Sequence, residues 1–249
     1  MSRSTEKDMA PTFIGVGVGP GDPGLVTLKA VAVLRAADRV FGPTMASDAV
    51  GRAESIVSQV APEVRVERLV FAILRDEAAR GAAHEAAAEQ VVACLEADER
   101  VAFVTLGDPN VYSTFHHLAA LVCQRLPATV VETVPGIMAF QDVAARRGAP
   151  LLDGSERLHL VSAVDGPEVL DVPLADADAA VVIYKGGRYV PAIADRLERA
   201  GRLDDAVLGE LLGLPGERVV PLKEAAADPA AYLASVVVPP GRTASGGRR

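Results

Sequence analysis

Thr12-Phe-Ile-Gly-Val-Gly-Val-Gly-Pro-Gly-Asp-Pro-Gly24 sets an apolar, strand-like run directly against a loop of glycine, proline and aspartate. A second stretch repeats the design: Val101-Ala-Phe-Val104 runs into Thr105-Leu-Gly-Asp-Pro-Asn-Val-Tyr112. Each places a backbone that a ligand can approach closely at the carboxyl end of an expected strand. Open α/β sheets bind small molecules there. Glycine and proline also punctuate ordinary turns. Two such stretches in one chain, both with Asp-Pro after a glycine, favour a cofactor cleft.

Gly19, Gly21 and Gly24 also fit the dinucleotide pattern G-x-G-x-x-G. That pattern cradles a pyrophosphate on backbone amides at a helix N-terminus. Here Asp22 would put a negative charge into the cradle and Pro23 would remove an amide donor. The acidic residue expected after the second strand is missing from Arg39-Val-Phe-Gly-Pro43, and no Gly-Lys-Ser/Thr makes a P-loop. A carboxylate in a glycine-rich pocket suits a cofactor without phosphates, or a proton to be moved.

Working outward, strand-like and helix-like segments alternate, which predicts an α/β architecture. Leu25, Leu28, Val31 and Leu34 recur at helical spacing, with Asp22 or Thr27 as the cap. Strands are expected at 39–41, 64–70, 101–105 and 129–134, and helices at 52–60, 76–97 and 112–126. Pro135-Gly136 ends the first lobe, expected at 11–133. The second, at 134–240, opens with a helix at 138–147. Strands at 158–163, 179–184, 206–211, 219–220 and 235–238, with a helix at 190–200, predict a mixed sheet. Two such lobes would form a cleft between them. The tails, 1–10 and 241–249, read as flexible.

The 249 residues carry a net charge of −8, which argues against a nucleic-acid partner. No apolar run approaches a membrane span, and the N-terminus does not read as a signal peptide. A cytoplasmic location is therefore expected. Cys94 and Cys123 lie in helix-like apolar patterns and read as buried, inert thiols.

Other chemistry finds little support. There is no G-x-S-x-G elbow, and Ser113 has no recognisable local partner. His116 and His117, adjacent on a helix, point in different directions and read as a surface or packing pair. His159 reads as a satisfied core histidine and His84 as solvated, so no metal site is expected. Tyr184-Lys185-Gly-Gly-Arg188 repeats the strand-loop-helix form in the second half. It either ends a strand or sets Tyr184 against a flat ring and Lys185 or Arg188 against carboxylates.

In order along the chain these segments resemble the tetrapyrrole methylase family. The motifs are Gly17-Val-Gly-Pro-Gly-Asp-Pro23 with Leu25-Val-Thr-Leu-Lys-Ala30, then Gly107-Asp-Pro109, Val134-Pro-Gly136 and the strand end Tyr184-Lys185. The resemblance runs from about Phe13 to Val238. It implies S-adenosylmethionine as methyl donor, folded into the cleft between two α/β lobes. Pro20 would bound the site, with Leu106, Gly107 and Asp108 near the methionine part and Val111 and Tyr112 beside them. Met138 and Ala139 would give helix-start contacts, and Tyr184 and Leu212 would flank the adenosine. Many relatives carry Thr or Ser where Met138 stands, so a backbone contact is implied there.

Val101 to Phe115 is similar to the branch acting on carbon 20 of precorrin-2, or of its cobalt form. The implied product is precorrin-3A, or its cobalt form, in cobalamin synthesis. Alternatives are a related methylase acting at another macrocycle position and a non-catalytic binding protein. Positioning and desolvation would carry most of the rate. Asp22 or a bound water would take the proton leaving the methylated carbon. Arg35, Lys185 or Arg188 would meet the substrate carboxylates. The resemblance also implies a homodimer, for which Ala86, Ala87, Ala88 and Ala93 offer a small-residue helix face.

Overall fold

A computed structural model of the chain describes residues 10–71 and 77–241. The expected tails fall almost wholly outside these, as does Asp76, the expected start of the Ala-rich helix. The chain forms two compact units, Met1–Met138 and Ala139–Arg249.

The first unit holds five strands: β1 (Thr12–Gly17), β2 (Arg39–Thr44), β3 (Val66–Val70), β4 (Val101–Thr105) and β5 (Val130–Val134). They pair in parallel, in the spatial order β3-β2-β4-β1-β5. The helices between them are α1 (Leu28–Ala36), α2 (Arg52–Val60), α3 (Glu77–Glu96) and α4 (Thr114–Arg125). Connections leaving β1 and β2 step one way across the sheet, and those leaving β3 and β4 step the other way. Parallel crossovers are right-handed, so the two helix pairs fall on opposite faces. Leu34 of α1 and Ile56 and Val57 of α2 join a core with Ile14, Val16, Val40, Ala102 and Val104. Val91 and Leu95 of α3 and Phe115, Leu118 and Val122 of α4 face Phe13, Phe41, Leu69 and Phe103. The walking direction reverses between neighbours β1 and β4. The loops after these strands therefore lead to helices on opposite faces of the sheet, which marks the switch point where open sheets take ligands.

Both expected helix caps exist, on different elements. Asp22 Oδ1 accepts from Gly24 N at 2.7 Å and caps a 3₁₀ turn, Pro23–Leu25, while Thr27 Oγ1 accepts from Ala30 N at 3.1 Å and caps α1. Leu25 therefore lies outside α1, and Leu28 is 90% exposed, a correction to the spacing that joined them. β2 also runs past Phe41 to Thr44: beyond Phe41 its register continues on β3 and no longer on β4, so Pro43, which has no N–H to donate, is tolerated there.

The second unit contains β6 (Arg157–Ser162), β7 (Ala179–Tyr184), β8 (Val207–Glu210), β9 (Arg218–Pro221) and β10 (Ser235–Val238), in the order β6-β7-β10-β8-β9. β6 and β7 are parallel and the other pairs antiparallel, so the sheet is mixed. α5 (Ala139–Arg147) lays Val143 against Val182, Leu212 and Val237 on one face. α7 (Val190–Arg199) packs Ile193, Ala194 and Leu197 on the other face, against Val181, Ile183, Leu208 and Val236. Two short helices, α6 (Asp171–Ala175) and α8 (Leu222–Ala225), were not expected, being shorter than two turns. β10 is antiparallel to both neighbours, so the carboxyl ends of β7 and β8 share one edge, with Ser235 aligned to Tyr184 and Gly209. Among the described residues no helix is long and apolar enough to cross a membrane.

Candidate functional site

In the first unit, three loops meet at the carboxyl edge of β4, β1 and β5. Val18 N donates to Thr105 O at 3.0 Å and Gly107 N to Gly19 O at 2.8 Å, so the β1 and β4 loops stay joined beyond the ladder. Gly17, Gly107 and Gly136 pack backbone on backbone. A Cβ on Gly136 would lie 2.8 Å from Gly17 Cα and closer still to Gly107 O. Gly107 also takes φ +63°, which a side chain would resist.

Asp108 fastens this arrangement. Its Oδ1 accepts from Asn110 N at 2.8 Å and its Oδ2 from Gly136 N at 3.1 Å. Asn110 Nδ2 reaches Thr133 Oγ1 at 3.2 Å, a further tie to β5. Ser113 is a structural cap: its Oγ accepts from Phe115 N and donates to Thr105 Oγ1, both at 3.1 Å. The structure thus gathers Pro20, Asp22, Leu106, Gly107, Asp108, Val111 and Tyr112 on adjoining loops. Met138 joins them, its Cα 4.0 Å from where a Gly107 Cβ would stand. Loops 18–27, 106–113 and 135–138 carry Asp22 and Asp108 and no Lys or Arg. Their fixed charge disfavours a phosphate and favours a cation.

In the second unit, Tyr184 Oη accepts from Phe140 N at 3.1 Å, tying the end of β7 to the start of α5. Ala139, Phe140 and Tyr184 pack against the cluster that holds Leu212 and Val143, so Ala139, Tyr184 and Leu212 come together. Lys185 follows Tyr184, and burial pushes its ammonium below the usual lysine range. Arg188 is exposed; its Nη2 donates to Val164 O at 2.5 Å and its guanidinium lies 4.6 Å from the Tyr189 ring centroid.

Backbone strain adds a signal that sequence reasoning missed. Among the described residues, non-glycine positive φ occurs at Asp98, Tyr112, Lys185 and Leu211. Asp98 closes α3. The other three lie in loops after strands β4, β7 and β8. Strained backbone of this kind concentrates at functional sites. Nothing in the residue types Tyr, Lys or Leu announces it.

Arg35 stands apart. α1 runs back from the carboxyl edge of the sheet, so its last turn sits by the amino edge, where Arg35 Nε pairs with Glu63 Oε1 at 2.5 Å. Helical geometry places it roughly 10 Å from the first turn, and the structure does not bring it to the loops. His84 also needs correction: it is half-buried, edge-on to Phe71 and stacked on His117, and burial lowers its pKa. His159 lies on edge strand β6, with Nε2 3.8 Å from Asp176 Oδ2 and no hydrogen bond, so it is not a satisfied core residue. Cys94 is buried and Cys123 partly so, and burial pushes the Cys94 thiol up. Among the described residues no three His, Cys, Asp or Glu side chains gather where they would hold a metal.

A family model for the tetrapyrrole (corrin/porphyrin) methylases matches residues 12–228. The chain is 35% identical over 236 residues to the precorrin-2 C(20)-methyltransferase of a Sinorhizobium species, covering 91% of this chain and 94% of that one. With the cobalt-precorrin-2 C(20)-methyltransferase of Salmonella typhimurium it shares 30% identity over 205 residues, 82% of this chain and 84% of that one. The solved uroporphyrin-III-C-methyltransferase of Thermus thermophilus has the same fold, with a TM-score of 0.65 at 21% identity over 93% of each chain.

Proposed function

The chain belongs to the tetrapyrrole (corrin/porphyrin) methylase family, and on that premise we propose that it methylates carbon 20 of precorrin-2 or cobalt-precorrin-2 with S-adenosylmethionine as donor. The observation that carries this reading is 35% identity, across almost the full length of both chains, to a relative named for that reaction. The loops of the first unit fit the donor. Its sulfonium and ammonium outweigh its one carboxylate, so it is a net cation without phosphate, and these loops offer two carboxylates and no cationic side chain.

On the first unit, Pro20 is assigned to bound the site and Leu106, Gly107 and Asp108 to approach the methionine part, with Val111 and Tyr112 beside them and Met138 giving a helix-start contact. On the second, Ala139 is assigned to the helix-start contact and Tyr184 and Leu212 to the adenosine. When bound, the donor supplies a methyl group whose sulfonium needs no acid to leave. The chain's own contribution is alignment and exclusion of water. Lys185 and Arg188 meet the substrate's carboxylates; Arg35, paired with Glu63 at the other edge of its sheet, is not assigned to them. Asp22, whose Oδ1 caps the turn at Gly24, is assigned as acceptor of the proton that leaves the methylated carbon.

Incubation with methyl-labelled donor and either precorrin-2 or its cobalt form tests this. The label should appear at carbon 20. A label at another macrocycle carbon would make the chain a related methylase of different regiochemistry. Binding without turnover would make it a binding protein.

A further inference from the structure

We infer that Glu210 is a positioning residue for the donor site, its carboxylate holding the segment around Ala231 against the loop that carries Lys185. The inference rests on the donor-contact role proposed for Tyr184 and Leu212. Glu210 ends β8 and is only 8% exposed. Its Oε1 accepts from Ala231 N, and its Oε2 accepts from Arg218 Nε at 2.5 Å, across the β8–β9 ladder. Burial raises its pKa, but the Ala231 N–H and the Arg218 guanidinium outweigh it and hold the carboxyl below its ordinary value. The group is therefore ionised at neutral pH, with both oxygens engaged.

What Glu210 holds bears directly on the loop after β7. Ala230 N donates to Gly187 O at 2.9 Å. A Cβ on Gly187 would lie 2.7 Å from Ala230 O and nearer still to Ala231 O, so the segment seats on bare backbone. Beneath the same loop, a Cβ on Gly186 would stand 2.8 Å from Ile193 Cδ1. The loop is wedged from two sides just after Lys185, which is held at φ +57°. In the other direction along the chain, Glu210 leads straight into Leu211 at φ +53°. Leu214 N then donates to Leu211 O at 2.9 Å, closing the turn that buries Leu212. One carboxylate thus links the strained ends of β7 and β8.

The test uses the full chain with Glu210→Ala, Glu210→Gln and Gly187→Ala, read by calorimetric titration with S-adenosylmethionine and by separate KM and kcat. Glu210→Ala should raise the donor's Kd and KM about tenfold, equivalent to about 1.4 kcal/mol, with kcat nearly unchanged. Glu210→Gln should recover most of the affinity, because its amide oxygen still accepts from Ala231 N. Gly187→Ala, which pushes on the same contact from the loop side, should weaken donor binding in the same direction. A folded Glu210→Ala protein with a lowered melting temperature and wild-type donor Kd would overturn the inference. If that variant does not fold, wild-type affinity in Gly187→Ala overturns it instead. Failure of the wild-type chain to bind the donor would overturn the donor reading itself.

Discussion

Both oxygens of Asp108 accept backbone N–H groups, and the residue joins two loops that lie 28 positions apart in sequence. Removing the carboxylate leaves the Gly136 N–H without its partner. Asp108→Ala should therefore cost about 1–3 kcal/mol of stability and weaken donor binding, while the fold survives. Urea unfolding and calorimetry would show both effects, and an unchanged variant would mean the loops hold without it. Gly136 makes the complementary case by contact. Gly136→Ala drives a methyl group into Gly17 Cα and Gly107 O, an overpacking expected to cost about 1–3 kcal/mol. Donor binding should fall further than stability, because the three glycines shape the edge of the site. Asp108 and Gly136 were legible in the sequence as Gly-Asp-Pro and Val-Pro-Gly. Glu210 and Leu211 were not, since a lone Glu-Leu after a strand has no local signature, and their roles arise from contacts made elsewhere in the chain.

Among the elements, the β6–β7 edge carries a pH dependence of definite sign. Arg157 clasps Asp176 through two contacts of 2.5 Å. Chiefly through that hydrogen-bonded guanidinium, the Asp176 carboxyl falls from its usual 3.8 to about 2. A carboxyl lowered in the folded state adds stability above its unfolded pKa and loses it as pH drops through the folded one. Melting temperature should therefore fall between about pH 4 and about pH 2 through this pair. Arg157→Gln should melt lower at neutral pH and show a shallower fall across that window. Parallel acid-dependent profiles for the two proteins would remove Asp176 from the account. Periodicity found most of these elements, including both strands of this edge. It overextended the first helix, because Leu25 keeps helical spacing with Leu28 while Asp22 and Thr27 cap separate turns.

For the whole molecule, the negative loops and the acidic chain lead to a ligand prediction. Calorimetry should show S-adenosylmethionine binding at micromolar strength and no NAD binding, since a pyrophosphate would face Asp22 and Asp108 with no cation beside them. Tight NAD binding would refute the loop electrostatics. A homodimer is expected with one donor per chain, and light scattering should return about twice 25.9 kDa. The alanine face needs revision as a dimer argument. Ala87 and Ala88 are 2% and 0% exposed in their own unit's core, so only Ala86 and Ala93 of that set face outward. A monomer with full turnover would show the dimer to be dispensable.

The alternation of strands and helices, the two glycine-aspartate-proline loops and the strand end at Tyr184 were readable from the chain alone. Each is a local matter of backbone propensity and close approach, expressed within about ten residues. The order β3-β2-β4-β1-β5 was not readable, because β1 and β4 are neighbours through pairing that spans most of the first unit. That pairing brings Gly17, Gly107 and Gly136 into contact and leaves Arg35 at the opposite edge. Likewise only the tertiary structure holds Tyr112, Lys185 and Leu211 at positive φ. L side chains disfavour that conformation, so surrounding contacts must impose it, and no local stretch of sequence encodes those contacts.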